Sequence, residues 1–422
     1  MSYEKLVEDI LIALQKKLRN KESQKRYLAE NSSAFTRKRN LPFEKLTAFL
    51  FQRSTYSLDI KLEQWFQAWM PLQSEPISRQ AISKARQKLP AEIFHDSLIL
   101  SSQMFQKNKK RKDWNGFQIY AVDGTDLQIP TTKETLEEFG AMKSRFGCSI
   151  AGASASALYD VMNDIILDSV ICPYKTDERV MAEQLLDTVM TEESKKESIV
   201  LFDRGYPSYR FLGYLFDQKI YFVMRIKEQM SHLRDPRGKD GEVYRKCGGK
   251  CRTLRTICVK LEEEKEEFLI TNIPREKINL NQFKELYFLR WGIEGKYGEW
   301  KSLLEIENFS GKKSICIKQD FYISLFLSNI CSLMKQAADK RYHGITESGK
   351  EYQARRSYLI HEINRQISGI LLKQKTEEIR MILEDILKRS KKKRSQIRRN
   401  RKCERNLNLN RRKYSMNHKS CI

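Results

Sequence analysis

The sequence predicts an α/β fold in which a mixed core, residues 111–310, lies between a helical amino-terminal region, 1–110, and a helical carboxy-terminal region, 311–387. Two observations carry that expectation. Apolar residues recur at helical spacing toward both ends of the chain. The middle instead holds short β-branched and aromatic runs, two of which lead into an aspartate.

The first segment, Met1 to Lys17, sets Leu6, Ile10, Leu11 and Leu14 among the charges of Glu4, Lys5, Glu8 and Asp9, an amphipathic helix and not an export signal. Helical periodicity returns through Leu46, Phe49 and Leu50, and again through Leu62, Trp65, Phe66 and Trp69. In SRQAISKARQKL, Ser78 can cap a helix that exposes Arg79, Lys84, Arg86 and Lys88. That face either lies against phosphates or is simply solvated, and a helix-turn-helix stays open as a reading.

From Phe117 the run FQIYAVDGTDLQIP reads as a buried strand delivering Asp123 at its end. SIAGASASALYD and DIILDSVIC follow as a hairpin around Met162 to Asp164. Residues 177–190 carry a helical stripe of Val180, Met181, Leu185, Leu186 and Val189, after which SIVLFD is a short strand ending at Asp203. A turn and helix, GYPSYRFLGYLF, and a further strand, KIYFVMRIK, complete the order β-β-β-α-β-α-β, which resembles the ribonuclease H-like fold. Residues 228–283 interrupt it as a β-rich insertion, polar and Gly-containing at first and then supplying LRTICVKL and EEFLITNI as strands. Helix resumes over 284–304 and continues in pattern to about residue 387.

Charge narrows the class of partner. The chain carries 78 Lys and Arg against 54 Asp and Glu, a net +24 that suits a polyanion. No run of about 18 apolar residues exists to span a bilayer, so nucleic acid is expected in place of membrane. Residues 388–422 hold fifteen of the cations and one acid, Glu404. Such a tail is expected to be disordered when free and either to attract phosphates in a salt-dependent way or to act as a solubility element. The nine cysteines are odd in number and scattered, which argues for reduced thiols. Cys247 and Cys251 lack enough soft neighbours for zinc, since only Cys258 and His232 lie near in sequence.

Two carboxylates at the ends of neighbouring parallel strands, Asp123 and Asp203, would form a hard-oxygen site suited to Mg²⁺. Each precedes a turn residue, Gly124 or Arg204-Gly205, so turn capping is the alternative. In YFLRWGIEGKYGEWK, Tyr287, Arg290, Glu294 and Lys301 are offset by three, seven and fourteen residues, within roughly 60° of arc on one helix. One phenol, two cations and a carboxylate make a poor core face. They suit a metal and a phosphate backbone, or else a solvated ion-pair network. Gly292, Gly295 and Gly298 weaken this helix by about 0.8 to 1 kcal/mol each, for close approach of DNA or strand, or merely as a kink.

The spacing Tyr287-x2-Arg290-x3-Glu294-x6-Lys301 resembles the Y-x2-R-x3-E-x6-K signature of the IS4 family of bacterial transposases, and Asp123-Gly124-Thr125 and Asp203-Arg204-Gly205-Tyr206 look like its DGT and DRGY motifs. The resemblance runs from about residue 78 to 335. It implies a Mg²⁺-dependent DDE transposase whose catalytic, metal-binding triad is Asp123, Asp203 and Glu294, with two Mg²⁺ ions per site or Mn²⁺ in their place. By the same resemblance Tyr287, Arg290, Lys301 and Arg204 would contact DNA, with Arg79, Lys84 and Arg86 from the amino-terminal region. The implied partners are double-stranded DNA, both element terminal inverted repeats and target, and a second copy of the chain in a homodimeric synaptic complex. Its implied place is the bacterial cytoplasm, at the nucleoid. Relatives excise through a hairpin, and in one of them an insertion-region Trp receives a flipped base. Here Trp65, Trp69, Trp114, Trp291 and Trp300 all lie outside 228–283, leaving Tyr244 or Phe268 as stacking surfaces. A structure-specific nuclease of the same fold and an inactive or repurposed DNA-binding relative are the competing expectations.

Overall fold

The computed structural model describes residues 1–28, 34–35, 41–54, 57–69, 77–143, 149–235, 238–260, 266–342, 344–345 and 350–397. The chain forms two compact units, one of residues 110–127 and 153–299, the other of residues 1–109, 128–152 and 300–422.

The main sheet is built from nine strands among the described residues: β1 (Gln118–Gln128), β2 (Ala141–Lys143), β3 (Ser149–Asp160), β4 (Ile165–Pro173), β5 (Ser198–Phe202), β6 (Tyr221–Arg225), β7 (Asp240–Cys247), β8 (Lys250–Lys260) and β9 (Glu266–Thr271). The strand order β4-β3-β1-β5-β6, with β3 and β4 antiparallel and β1, β5 and β6 mutually parallel, is that of a ribonuclease H-like core. Every residue of β5 is buried, as a parallel strand covered on both faces requires. The expected hairpin turns at residues 161–164, where Asp164 takes φ 57°. Asp and Asn tolerate that left-handed backbone better than other side chains do.

The insertion does not stand apart. β9 pairs antiparallel with β6, and β8 and β7 follow outward, so residues 240–271 prolong the main sheet. β7, a strand the sequence did not announce, is a half-exposed ribbon whose polar residues face solvent.

In the other unit the helix Tyr3–Arg19 buries Leu6, Val7, Ile10, Leu11 and Leu14, which follows from the periodicity of its apolar residues. The helices Glu92–Gln106 and Ser314–Tyr342 pack there as well. Ser78 caps the helix Arg79–Arg86 by accepting the Ala81 N–H at 3.2 Å. Arg79, Lys84 and Lys88 are exposed, but Arg86 is not. It is buried in an ion pair with Asp320 at 2.8 Å and donates to Gln319, Ser310 and the Cys316 carbonyl. The expectation of an exposed, phosphate-facing Arg86 is therefore corrected. Its guanidinium has the planar donor set that a buried carboxylate and carbonyls satisfy. Burial alone would raise the Asp320 carboxyl, but Arg86 and Arg53 beside it and two hydrogen bonds from Ser310 hold it at about 2.

The basic segment after residue 387 begins as ordered chain, since the helix Thr376–Ser390 runs into it and Arg394–Gln396 pairs with Glu351–Ala354. Residues 398–422 lie outside the described residues. Among the described residues no helix is long and apolar enough to cross a membrane.

Candidate active site

The parallel pairing of β1 with β5 runs from Gln118↔Ser198 to Ala121↔Leu201, a constant offset of 80 residues. Carried two residues further, the same register sets Asp123 beside Asp203, on strands about 4.8 Å apart. Asp203 follows the last residue of β5, as expected. Asp123 does not end its strand: β1 continues to Gln128 after its parallel partner has stopped.

The third acid arrives on a separate segment. The sequence suggests one continuous helix over 284–304, but the structure divides it into Phe283–Phe288 and Trp291–Ser302. Across the junction Arg290, Gly292 and Ile293 donate to carbonyls three residues back, a tightened turn in place of the α ladder. The expectation of one continuous helix carrying Tyr287, Arg290, Glu294 and Lys301 is corrected accordingly.

Two tyrosines fasten this segment to the aspartate strands. The Tyr287 hydroxyl donates to the Phe202 carbonyl at 3.3 Å, one residue before Asp203. The Tyr297 hydroxyl donates to the Asp123 carbonyl at 2.5 Å, an oxygen that also accepts from Ser156 at 2.9 Å. Lys296, buried, adds an ion pair to Asp164 at 3.0 Å in the β3–β4 turn. Gly292 lets the helix approach that turn closely, since a Cβ there would stand 2.9 Å from Val161, whereas Gly295 and Gly298 face open space. Close approach thus explains one of the three glycines. Tyr287 and Arg290, read from sequence as surface groups, are both buried.

Arg290 lies among the acids. Its guanidinium pairs with Glu294 at 2.7 Å and reaches Asp123 at 3.9 Å. Nε and Nη1 are buried without a hydrogen-bond partner. Burial pushes the Asp123 carboxyl up to about 7, and Glu178 and Asp203 push the same way. The Gly124 N–H and Arg290 only partly offset this. Carboxylates gathered with too little positive charge behave in this way.

The donor set fits divalent ions in kind, being hard carboxylate oxygens, and Asp123 is short of positive charge. Among the described residues no three acids, histidines or cysteines are placed to hold one ion together. The cation standing between Asp123 and Glu294 is that of Arg290.

Beside Asp203 opens a cavity of about 910 Å³ whose lining includes Arg204, Arg225, Lys227, Arg234 and Phe268. The Arg234 guanidinium lies 3.9 Å from the centre of the Phe268 ring. Tyr244 is 69% exposed on β7, outside that cavity. Lys301 is exposed near the end of the helix that carries Glu294.

Sequence reasoning missed Tyr297, Lys296 and Glu178. A phenol three residues after the acid was a usable signal for the first. The second resembles any solvated lysine, and the third looks like the start of a helix.

A ribonuclease H-like sheet with aspartates side by side on its central parallel strands, and a glutamate brought to them on a helix, defines the class of DDE-type cores. Residues 114–330, 217 of the 422, match the family described as the transposase DDE domain, and the chain belongs to that family. It is 27% identical over 159 residues to the candidate transposase InsZ of Escherichia coli (strain K12), a match covering 32% of this chain and 52% of that protein. The chain thus spans about half the length of the curated relative it matches. Among solved structures it resembles the piggyBac transposase in a synaptic complex with hairpin DNA, at TM-score 0.46 and 11% identity over 89% of this chain and 85% of the other.

Proposed function

We propose that this chain is a transposase of the IS4 type that binds the ends of an insertion sequence, cleaves the DNA and transfers its strands to a target. Asp123, Asp203 and Glu294 would hold two Mg²⁺ ions, or Mn²⁺ in their place. When bound, such ions supply charge stabilisation for both the attacking and the departing oxygen of an in-line displacement. The observation that supports the reading is that the Tyr287 and Tyr297 hydroxyls tie the segment carrying Glu294 to both aspartate strands.

The chain's own residues have definite parts in this reading. Tyr297 and Ser156 fix the backbone at Asp123, so its carboxylate keeps its place when charge arrives. Arg290 presents two buried N–H groups without an acceptor, which a phosphate oxygen would satisfy. Contact with DNA would draw its charge away from Glu294 and free that carboxylate. Arg204, Lys301, Arg79 and Lys84 are exposed cations suited to the DNA backbone, with Tyr287 acting through position. The cavity beside Asp203 would take a displaced nucleotide, with Phe268 as its stacking surface. The partners are terminal repeats, target DNA and a second copy of the chain, and the setting is the bacterial nucleoid.

Mg²⁺-dependent cleavage of DNA carrying the element's ends tests this with wild type and Asp123→Ala, Asp203→Ala and Glu294→Ala. All three variants should lose cleavage while retaining end binding. Cleavage that survives any one change removes that residue from the triad.

A further inference from the structure

A fourth acid faces the same place. Glu178 opens the helix Glu178–Val189, just after its capping residue Asp177. Its carboxylate lies against both motif glycines. A Cβ on Gly124 would meet Oε1 at 2.5 Å, and one on Gly205 would stand 3.5 Å from Oε2. Gly124 immediately follows Asp123 and Gly205 stands two residues after Asp203, so the Glu178 carboxylate lies close to the ends of both strands that present the aspartates.

Glu178 makes no hydrogen bond or ion pair among the described residues, although its helix neighbour Arg179 pairs with Asp177 at 2.9 Å. An acid that keeps acidic neighbours and no counter-ion is unfavourable unless something cationic visits it. A second observation points into the same space. The Tyr206 hydroxyl is fully buried, lies in the field of Glu178 and Asp123, and has no partner in hydrogen-bonding geometry. Ser156, close by, gives its own hydroxyl to the Asp123 carbonyl. Buried phenols ordinarily find a partner, and an ion-bound water or phosphate oxygen between these groups would supply one.

We propose that Glu178 is a further metal-facing carboxylate of this site, reaching a divalent ion held by Asp123 and Asp203 through one of the ion's waters. The inference rests on the two-metal reading above and adds a residue to it. It also gives Gly124 a reason: a side chain there would displace the Glu178 carboxylate, whereas one at Gly205 would only touch it.

The test is Mn²⁺ binding to the full chain, followed by electron paramagnetic resonance of the free ion, with and without DNA ends. The proteins are wild type, Glu178→Gln, Glu178→Asp, Asp123→Asn and the remote surface change Glu193→Gln. Glu178→Gln should weaken Mn²⁺ binding at least about tenfold with a metal-free melting temperature no lower than that of wild type, and Glu178→Asp, its carboxylate drawn back by a methylene, should restore only part. Glu193→Gln should bind as wild type does. If Glu178→Gln binds as tightly as wild type while Asp123→Asn does not, the role of Glu178 is overturned and the triad stands. Full restoration by Glu178→Asp would likewise overturn it, leaving only a general field. If wild type binds no Mn²⁺ in either condition, the two-metal reading falls and this inference with it.

Discussion

Replacing Asp123 by Asn should make the metal-free protein more stable, and increasingly so as pH rises. The carboxyl is held at about 7 against an ordinary 3.8, so between those values the folded chain keeps a proton that the unfolded chain has released. Stability therefore falls with rising pH across that window. At 1.36 kcal/mol per pH unit, three units give a ceiling of about 4 kcal/mol. The side chain is only 19% exposed, so solvent relieves little of this, although local relaxation will. At about 2 °C per kcal/mol the ceiling corresponds to roughly 8 °C, and a gap of a few degrees is expected. The assay is thermal unfolding in chelator from pH 4 to 8. The variant and wild type should melt together near pH 4 and separate above pH 6, with the variant higher. Millimolar Mg²⁺ should then raise the wild type and leave the variant unmoved. A gap independent of pH, or a wild type that is the more stable at pH 8 in chelator, would refute the electrostatic account of the site.

Three further outcomes follow from particular contacts. Arg86→Met strands the buried Asp320 carboxylate and should lower unfolding free energy by about 3 to 5 kcal/mol, whereas Arg79→Ala, which breaks an exposed pair with Asp59, should change it by less than about 1 kcal/mol. Denaturant titration of both variants checks this. Tyr297→Phe removes the donor to the Asp123 carbonyl and should cost about 1 kcal/mol of stability while lowering cleavage by tenfold or more. Unchanged single-turnover cleavage would show that the contact does not position the acid. Removal of residues 398–422 takes away nine Lys and Arg and should flatten the dependence of DNA affinity on salt; an unaltered slope would assign those charges to solubility alone.

Much of the core was legible because its signals are local. Apolar β-branched runs ending at Asp123 and Asp203 announce buried strands and their acids, and the hairpin and the flanking helices follow from alternation and 3.6-residue spacing. What stayed hidden depends on partners distant in sequence. Arg86, Arg290 and Tyr287 look like surface groups because polarity is read one residue at a time, yet each is buried where carbonyls or carboxylates receive it. The break at Leu289–Arg290 has no Pro or paired Gly to announce it. β7 was missed because polar residues interrupt its apolar ones, and its pairing partner β8 lies across a turn that local patterning does not reveal. Glu178 sits where any helix would welcome an acid, and nothing in TDERV separates that ordinary use from a metal-facing one.

The fastening of Tyr297 to Asp123 joins residues 174 apart in the chain. Contacts so remote form late in folding, after much local structure is in place. During synthesis, the aspartate strands emerge from the ribosome long before Glu294. If Glu294 acts as proposed, a translation product that stops short of it would lack the third carboxylate and cut no DNA.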